Sequence, residues 1–297
     1  MLFVRTVAVI NQKGGVGKTT TVANLGAAVA ASGRDVLLLD LDPQSHLTLH
    51  CGLEPGSAEV SIYDVLTAGA DIRAAVKPVA QRLWLVPSEI DLAAAEMELV
   101  GVVGREQILR DRLAAVSLPG ELAFIDCPPG LGLLTLNALA AADEVIIPLQ
   151  PHFLALQGLG RLLETVSLVQ RRINSRLTVS GVVLCLYESS TRLAGEVLAD
   201  LRNFFASARG AGTPWSDTHI YQTVIRRNVK LAECPSYGKT IFDYEPRCRG
   251  AEDYRALAEE FLARHGVQQA ADGSGVEQPA ETPSPAAVAA QPETPAS

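Results

Sequence analysis

The segment Lys13-Gly14-Gly15-Val16-Gly17-Lys18-Thr19-Thr20 decides the fold of this chain. Three glycines within four residues let the backbone turn its N–H groups inward around an anion, because no side chain blocks the approach. A helix that follows presents its positive end to the same anion. In this pattern the Lys18 ammonium contacts the β- and γ-phosphates of a nucleotide, and the Thr19 hydroxyl reaches Mg²⁺. All eight residues are therefore candidate nucleotide contacts at a strand–helix junction.

Short apolar runs alternate with helical patterns along the rest of the chain. Residues 36–39 and 145–147 show no polar alternation, as expected of strands that are covered on both faces. Strands separated by helices imply right-handed βαβ crossovers. The pattern therefore predicts an α/β fold with a doubly wound, mainly parallel sheet flanked by helices. The predicted strands are 4–10, 36–41, 83–86, 122–125, 144–148, 178–186 and 219–225, and the predicted helices are 18–32, 91–100, 106–116, 131–140, 156–172, 192–207 and 251–264.

Carboxylates stand at the ends of two predicted strands. Strand 36–41 carries Asp40 and leads into Asp42, and period-two spacing puts both on the same side of an extended chain. Strand 122–125 leads into Asp126, and an apolar strand that ends in Asp is typical of the Walker B motif. Ligands of a parallel α/β sheet bind beyond the carboxyl ends of its strands. We therefore expect all three carboxylates to border the phosphate loop, with Asp126 bonded to the Mg²⁺ shell directly or through water.

Lys13 distinguishes this phosphate loop from the ordinary one. The ordinary pattern has Gly at the position of Gln12, and the second lysine, five residues before Lys18, is typical of the deviant Walker A subclass. The chain also has Asp-x-Asp-Pro-Gln at residues 40–44 and Pro-Pro-Gly at residues 128–130. With these three motifs it resembles the ParA/Soj-type chromosome or plasmid partition ATPases.

The resemblance extends over about residues 4–264 and implies a slow, partner-stimulated ATPase that uses ATP and Mg²⁺. It implies that Lys13 reaches across a dimer interface onto the partner's nucleotide phosphates, as an arginine finger does. It also implies that Asp42 orients the attacking water. A surface lysine without a role and turn-forming aspartates are the alternatives for these two residues. The expected catalytic residues are Lys13, Lys18 and Asp42, and the expected metal-shell residues are Thr19, Asp40 and Asp126.

The C-terminal half supplies candidates for two further contacts. The resemblance implies that residues 225–228 border the nucleotide base, with Arg227 and Asn228 as candidates. It also implies that the ATP-bound homodimer binds double-stranded DNA without sequence preference. Of two basic positions that relatives use, one falls on Lys230 and the other on Ser190, where the charge is lost. The candidate DNA contacts are Arg192, Arg226, Arg227 and Lys230; scattered solvating charges are the alternative.

The net charge of −8 is unevenly distributed along the chain. Residues 1–151 carry −7, residues 152–265 carry +3 and residues 266–297 carry −4. Overall acidity is therefore compatible with a basic face on the C-terminal half. From residue 266 the sequence is rich in Ala, Pro and Glu, which predicts a disordered tail after an ATPase domain at residues 1–265.

Several other classes of protein fit the sequence less well. The tail has neither Lys nor Arg, which counts against a MinD-like, membrane-bound division-site regulator. The absence of Cys-x-x-Cys and of an evident substrate motif counts against iron–sulfur carriers and ligases that share the loop. With no signal peptide and no long apolar run, we expect a cytoplasmic, nucleoid-associated protein without stable membrane binding.

The favoured function is thus a ParA-type switch in chromosome or plasmid segregation, activated by a ParB/Spo0J-like protein. An orphan ParA-like ATPase that positions another cargo is the alternative, since the cargo is specified by the partner.

Overall fold

The computed structural model of the chain describes residues 5–152, 155–188 and 192–265, apart from the side chain of Leu193. The prediction of a disordered tail and the position of Ser190 lie outside these ranges. Within them the strands are β1 Arg5–Val9, β2 Val36–Asp40, β3 Lys77–Ala80, β4 Leu83–Val86, β5 Leu122–Asp126, β6 Glu144–Leu149, β7 Thr178–Tyr187, β8 His219–Ile220 and β9 Ile225–Arg226. The α-helices are α1 Lys18–Ala31, α2 His46–His50, α3 Ile62–Thr67, α4 Ile72–Ala75, α5 Leu92–Glu98, α6 Ile108–Ala114, α7 Leu133–Ala141, α8 Ala155–Arg172, α9 Arg192–Ala208, α10 Val229–Glu233, α11 Ile241–Tyr244 and α12 Arg249–Arg264.

The strands form a mainly parallel sheet in the order β3-β4-β2-β5-β1-β6-β7-β8, with β9 paired to β7. Only β3 and β4 pair antiparallel among the described strands. The first strand lies in the middle, between β5 and β6. The chain therefore winds outward in both directions from β1, and the loop after β1 leaves the sheet at its centre. The predicted fold class is confirmed.

Side chains of the central strands alternate between two apolar cores, one on each face of the sheet. In β2, Leu37 and Leu39 belong to one core, while Val36 and Leu38 belong to the other. All four are fully buried. The absence of polar alternation in this strand thus has the expected cause, which is burial on both faces. The helices that cover the second face include α1 and α12, which pack on each other.

The structure corrects one predicted strand and adds short elements. In place of the single predicted strand 219–225, residues 219–226 contain two separate two-residue strands, β8 and β9, which pair with different parts of β7. The edge strand Lys77–Ala80 was not predicted, because its alternating half-exposed pattern includes Pro78 and lacks an apolar run. Helices of four to six residues such as α2, α3 and α10 were also missed, since so few residues cannot display a helical period.

No helix among the described residues is both long enough and apolar enough to cross a membrane.

Candidate functional site

The phosphate loop connects β1 to α1 through two residues in the left-handed region. Gly15 has φ +73° and Gly17 has φ +93°, values that an L-residue with a β-carbon adopts only at a cost. Gly17 is the N-cap of α1, and no side chain caps the helix there. The first backbone N–H groups of α1 therefore remain available to an anion at the positive end of the helix.

Lys18 lies at the base of this loop with only 7% of its surface exposed. Its Nζ donates to the carbonyl of Lys13 at 3.4 Å. Burial lowers the pKa of the Lys18 ammonium, while the charges of Asp126 and Asp42 oppose that change. A buried cation that is only partly compensated by protein groups is well suited to an anionic ligand such as a triphosphate.

Thr19 and Asp126 meet where α1 begins and β5 ends. The Thr19 hydroxyl donates to Asp126 Oδ2 at 2.6 Å. The other oxygen, Asp126 Oδ1, is buried and has no hydrogen-bond partner among the described residues. Burial and the neighbouring Asp40 charge raise the pKa of Asp126 well above its usual range. A divalent cation fits this arrangement, because it would bind the open carboxylate oxygen and offset the buried negative charge.

Asp40 is the register partner of Asp126 in the neighbouring strand, and it is also fully buried. Asp40 Oδ2 accepts from the backbone N–H and the hydroxyl of Thr48 at 2.8 and 2.7 Å, and Oδ1 accepts from the N–H of Asp42 at 3.1 Å. Burial raises the pKa of Asp40 to about 7 despite these bonds. Its oxygens thus organise the loop that carries Asp42, while Asp126 offers the open oxygen for a metal.

Asp42 lies in the nucleotide cleft on a loop that is held from several sides. Its Oδ1 accepts from the N–H of Gln44 at 3.0 Å, and its carbonyl accepts from the Ser88 hydroxyl at 2.9 Å. The side chain is 6% exposed and lines the cleft together with the phosphate loop. This placement is compatible with the orientation of a water molecule near the phosphates, which stays a prediction.

The cleft has a volume of about 640 Å³, within the range of small-molecule sites. The phosphate loop apart from Lys13 and Val16 lines one part, and Ile225, Arg226 and Asn228 line another. Arg227 is not among the lining residues, so the cleft gives its predicted nucleotide contact no support. Sequence reasoning missed several residues whose lining positions depend on long-range packing; they include His46, Leu49, His50, Cys185, Leu186, Leu231, Pro235 and Tyr254.

Among the described residues, three of the four candidate DNA contacts form ion pairs. Arg226 binds Asp253, whose side chain is only 8% exposed. Arg227 Nε lies 2.6 Å from Glu188 Oε1, and Lys230 Nζ lies 2.9 Å from Glu233 Oε2. Arg192, the fourth, is exposed at the first residue of α9. Arg226 is thus tied into the fold by a nearly buried carboxylate, while the pairs of Arg227 and Lys230 are open to solvent and weak.

The Lys13 side chain does not line the nucleotide cleft. It lines a separate cleft of about 320 Å³, where its Nζ lies 2.8 Å from His152 Nε2. His152 was not among the predicted site residues, because it lies 139 positions from Lys13 along the chain.

Comparison with known proteins places this site in a family. A family model described as an AAA domain matches residues 4–179. The sporulation initiation inhibitor protein Soj of Bacillus subtilis is 45% identical over 260 residues, which are 87% of this chain and 98% of Soj. The chromosome partitioning protein ParA of Caulobacter vibrioides is 41% identical over 269 residues, 90% of this chain and 97% of ParA.

A solved structure extends the comparison to bound ligands. The cobyrinic acid a,c-diamide synthase from Mycobacterium smegmatis, with bound ADP and magnesium, is 37% identical and has a TM-score of 0.75, covering 95% of this chain and 100% of that one. Another structure of that protein holds an ATP analogue and magnesium. ATP and Mg²⁺ are thus the ligands of this protein, and ATP hydrolysis is its activity. The chain belongs to the Soj/ParA family of chromosome-partitioning ATPases.

Proposed function

We propose that this chain is an ATP-dependent dimerising switch that serves chromosome or plasmid segregation. The ATP-bound dimer binds double-stranded DNA without sequence preference, and contact with a ParB-like protein stimulates slow hydrolysis and release. In this scheme the protein is associated with the nucleoid during the ATP-bound part of its cycle.

The direction of the Lys13 side chain carries the proposal of a dimer. Lys13 belongs to the phosphate loop, yet its exposed ammonium lies in the neighbouring cleft and not in the cleft that Lys18 and Thr19 line. A cation that is placed on the surface beside a phosphate site is well positioned to reach phosphates of a second copy. There it stabilises the charge that develops during phosphoryl transfer.

The chemistry of hydrolysis follows from the remaining cleft residues. Lys18 and the first N–H groups of α1 bind the phosphates, and Asp42 orients the attacking water. Thr19 and Asp126 hold Mg²⁺, with Asp40 fixing the loop beside them. When bound, Mg²⁺ would neutralise part of the negative charge of the phosphates.

Substitution of Lys18 and Lys13 separates nucleotide binding from dimer formation. Lys18→Ala should abolish ATP binding, whereas Lys13→Ala should leave monomer binding largely intact and impair the ATP-dependent dimer. Lys77→Ala, on the far edge strand β3, is the matched control and should behave as the wild type. Unchanged dimer formation by Lys13→Ala, measured by sedimentation with a non-hydrolysable ATP analogue, would refute the role of Lys13 in trans.

Substitution of Asp42 tests the water-orienting role. Asp42→Ala should give ATP-bound dimers that persist on DNA, because nucleotide binding remains while hydrolysis stops. Rapid ATP hydrolysis by this variant would exclude the role.

The DNA face is proposed to contain Arg192, Arg227 and Lys230, with Arg226 as a further candidate. Their charge would neutralise phosphates, so DNA affinity should fall steeply with salt. Replacing Arg192 and Lys230 together by Ala should reduce the slope of DNA affinity against salt concentration, on logarithmic scales, by the amount expected for the loss of about two phosphate contacts. The matched control replaces Arg73 and Lys77 at the opposite edge of the sheet. An unchanged slope in the first variant would move the DNA face elsewhere.

Further assays distinguish the proposed function from three alternatives. A gel shift with and without an ATP analogue, run beside vesicle sedimentation, distinguishes a DNA-binding switch from a MinD-like membrane regulator. An orphan ParA-like ATPase would bind DNA but show no stimulation by a ParB-like protein. The name of the M. smegmatis structure suggests a third assay, in which ATP hydrolysis is measured with and without cobyrinic acid. Stimulation by cobyrinic acid would contradict the proposal.

A further inference from the structure

The contact between Lys13 and His152 specifies the protonation state of the histidine. Lys13 Nζ lies 2.8 Å from His152 Nε2. An ammonium group has three donors and no acceptor, so Nε2 must accept the hydrogen bond with its lone pair. The imidazole is therefore neutral, with its ring proton on Nδ1. An imidazolium has no lone pair to offer, and its charge would repel Lys13.

The cleft around this pair contains no other titratable side chain among the described residues. Its lining consists of Lys13, His152 and uncharged neighbours, which are Asn11, Gln12, Val16, Leu149, Gln150, Ala155 and Gly158. His152 is half-buried, and burial together with the positive charge of Lys13 lowers the pKa of its imidazole. The neutral form is thus favoured near neutral pH, and the state of His152 is coupled to the position of Lys13.

The backbone on both sides of the contact is anchored to the same part of the sheet. The N–H of Lys13 donates to Asn11 Oδ1 at 3.0 Å, and Asn11 Nδ2 donates to the carbonyl of Pro148 at 2.7 Å. Pro148 belongs to β6, which pairs with β1 and leads to His152. The Lys13 side chain is therefore the mobile part of this contact, since its long aliphatic stem has many rotamers while its backbone is held.

We propose that His152 is a positioning residue, which holds the Lys13 ammonium in this side cleft until a second copy of the chain offers nucleotide phosphates in exchange. This inference rests on the proposed function, namely on the role of Lys13 in trans. Dimer formation then has to break the hydrogen bond in each of two symmetric protomers. The contact opposes association in the resting protein, and protonation of His152 releases Lys13.

The first experiment examines the contact without reference to dimers. The titration of the His152 ring is followed by NMR in the full nucleotide-free chain, with His152→Gln used to identify its signal among the five histidines. Lys13→Gln should raise the titration midpoint of His152, because it removes the adjacent positive charge. Lys77→Gln is the matched control and should leave the midpoint unchanged. An unchanged midpoint in Lys13→Gln would overturn the proposal.

The second experiment measures association with a non-hydrolysable ATP analogue by sedimentation velocity between pH 5.5 and 7.5. His152→Ala removes the acceptor, and at pH 7.5 it should tighten the dimer by roughly fivefold to a hundredfold for two lost hydrogen bonds. His152→Gln retains an acceptor that does not titrate, so its dimer should resemble that of the wild type at pH 7.5. Acidification should tighten the wild-type dimer and have little effect on either variant.

The outcomes separate failure of this inference from failure of the proposed function. If Lys13→Gln forms the ATP-dependent dimer as well as the wild type, the role of Lys13 in trans fails whatever His152 does. If Lys13→Gln abolishes the dimer but His152→Ala weakens it or leaves it unchanged, the proposed function stands and the holding role of His152 is refuted.

Discussion

The Thr19 hydroxyl donates a 2.6 Å hydrogen bond to Asp126 Oδ2 and so joins the start of α1 to the end of β5. The bond satisfies one carboxylate oxygen and leaves the other, Oδ1, buried without a partner among the described residues. The proposed metal-binding end of the cleft therefore contains a buried carboxylate oxygen that lacks a hydrogen bond, and this oxygen carries an electrostatic cost.

Replacement of Asp126 and of its neighbour Asp40 should have opposite effects on stability. Asp126→Asn removes a buried, poorly compensated carboxylate, whose pKa is raised by burial and by Asp40. It should raise the melting temperature without nucleotide or metal by about 2–4 °C per kcal/mol gained. Asp40→Asn should destabilise by about 1–3 kcal/mol, because one amide oxygen cannot accept all three bonds from Asp42 and Thr48.

Thermal unfolding in EDTA checks both changes, and a lower melting temperature for Asp126→Asn would contradict this account of the buried charge. The same variant should lose the increase in ATP affinity that Mg²⁺ produces in the wild type, because Asp126 is a proposed ligand.

Gly17→Ala should abolish nucleotide binding, and Gly33→Ala should not. Both glycines have almost the same positive φ, +93° and +92°. An added β-carbon therefore costs about 1–2 kcal/mol of backbone strain at either site. An added Cβ at Gly17 meets Cys185 only at ordinary contact distance, and at Gly33 it meets nothing within 4 Å. Strain relief at Gly17 moves the phosphate loop, whereas at Gly33 it moves the end of α1. Isothermal titration with ATP distinguishes them, and equal affinities would contradict the prediction.

Glu144 should make the stability of the fold sensitive to acid. Burial alone would raise its pKa, but hydrogen bonds from His265 and Ser180 and the charge of Arg5 lower it below the ordinary value. A folded pKa below the unfolded value stabilises the protein above about pH 4.3. That contribution is lost as pH falls through the folded pKa.

Urea unfolding between pH 3 and 6 should therefore show a steep loss of stability in the wild type and a smaller one in Glu144→Gln. Glu121→Gln, which changes an exposed carboxylate paired with Arg34, is the control and should keep the wild-type slope. Identical slopes in all three proteins would exclude Glu144 as the source.

Arg226→Ala should destabilise the protein, whereas Arg227→Ala should not. Arg226 donates through its backbone N–H and its guanidinium to Asp253, which is nearly buried and would lose its charged partner. We expect a loss of about 1–3 kcal/mol for Arg226→Ala. Arg227 and Glu188 are both about half exposed, so Arg227→Ala should change stability by no more than about 0.5 kcal/mol.

Urea unfolding at pH 7 measures both values. Equal stabilities of Arg226→Ala and Arg227→Ala would show that the buried Asp253 carboxylate does not need Arg226 as its charged partner. The two variants also guide DNA-binding assays. A loss of DNA affinity in Arg227→Ala would report on DNA contact alone, whereas the same loss in Arg226→Ala would also include the effect of reduced stability.

The amino-acid sequence by itself determined the features that depend on neighbouring residues. The phosphate loop was predictable because only glycine tolerates φ near +90° at Gly17, and because Lys18 begins a long helical pattern. The positions of Asp40 and Asp126 at strand ends followed from buried apolar runs, and a parallel sheet brings such ends to one edge.

Tertiary structure alone decided which distant side chains meet. His152 contacts Lys13 across 139 residues, and Arg226 binds Asp253, although no local pattern marks either pair. The sequence of residues 219–225 predicts one strand, yet two short strands, β8 and β9, pair with β7 there. The register of a strand is set by its partner strand and not by its own apolar residues. Periodicity and turn chemistry are local properties, whereas pairing, burial and the direction of a long side chain result from the packing of the whole fold.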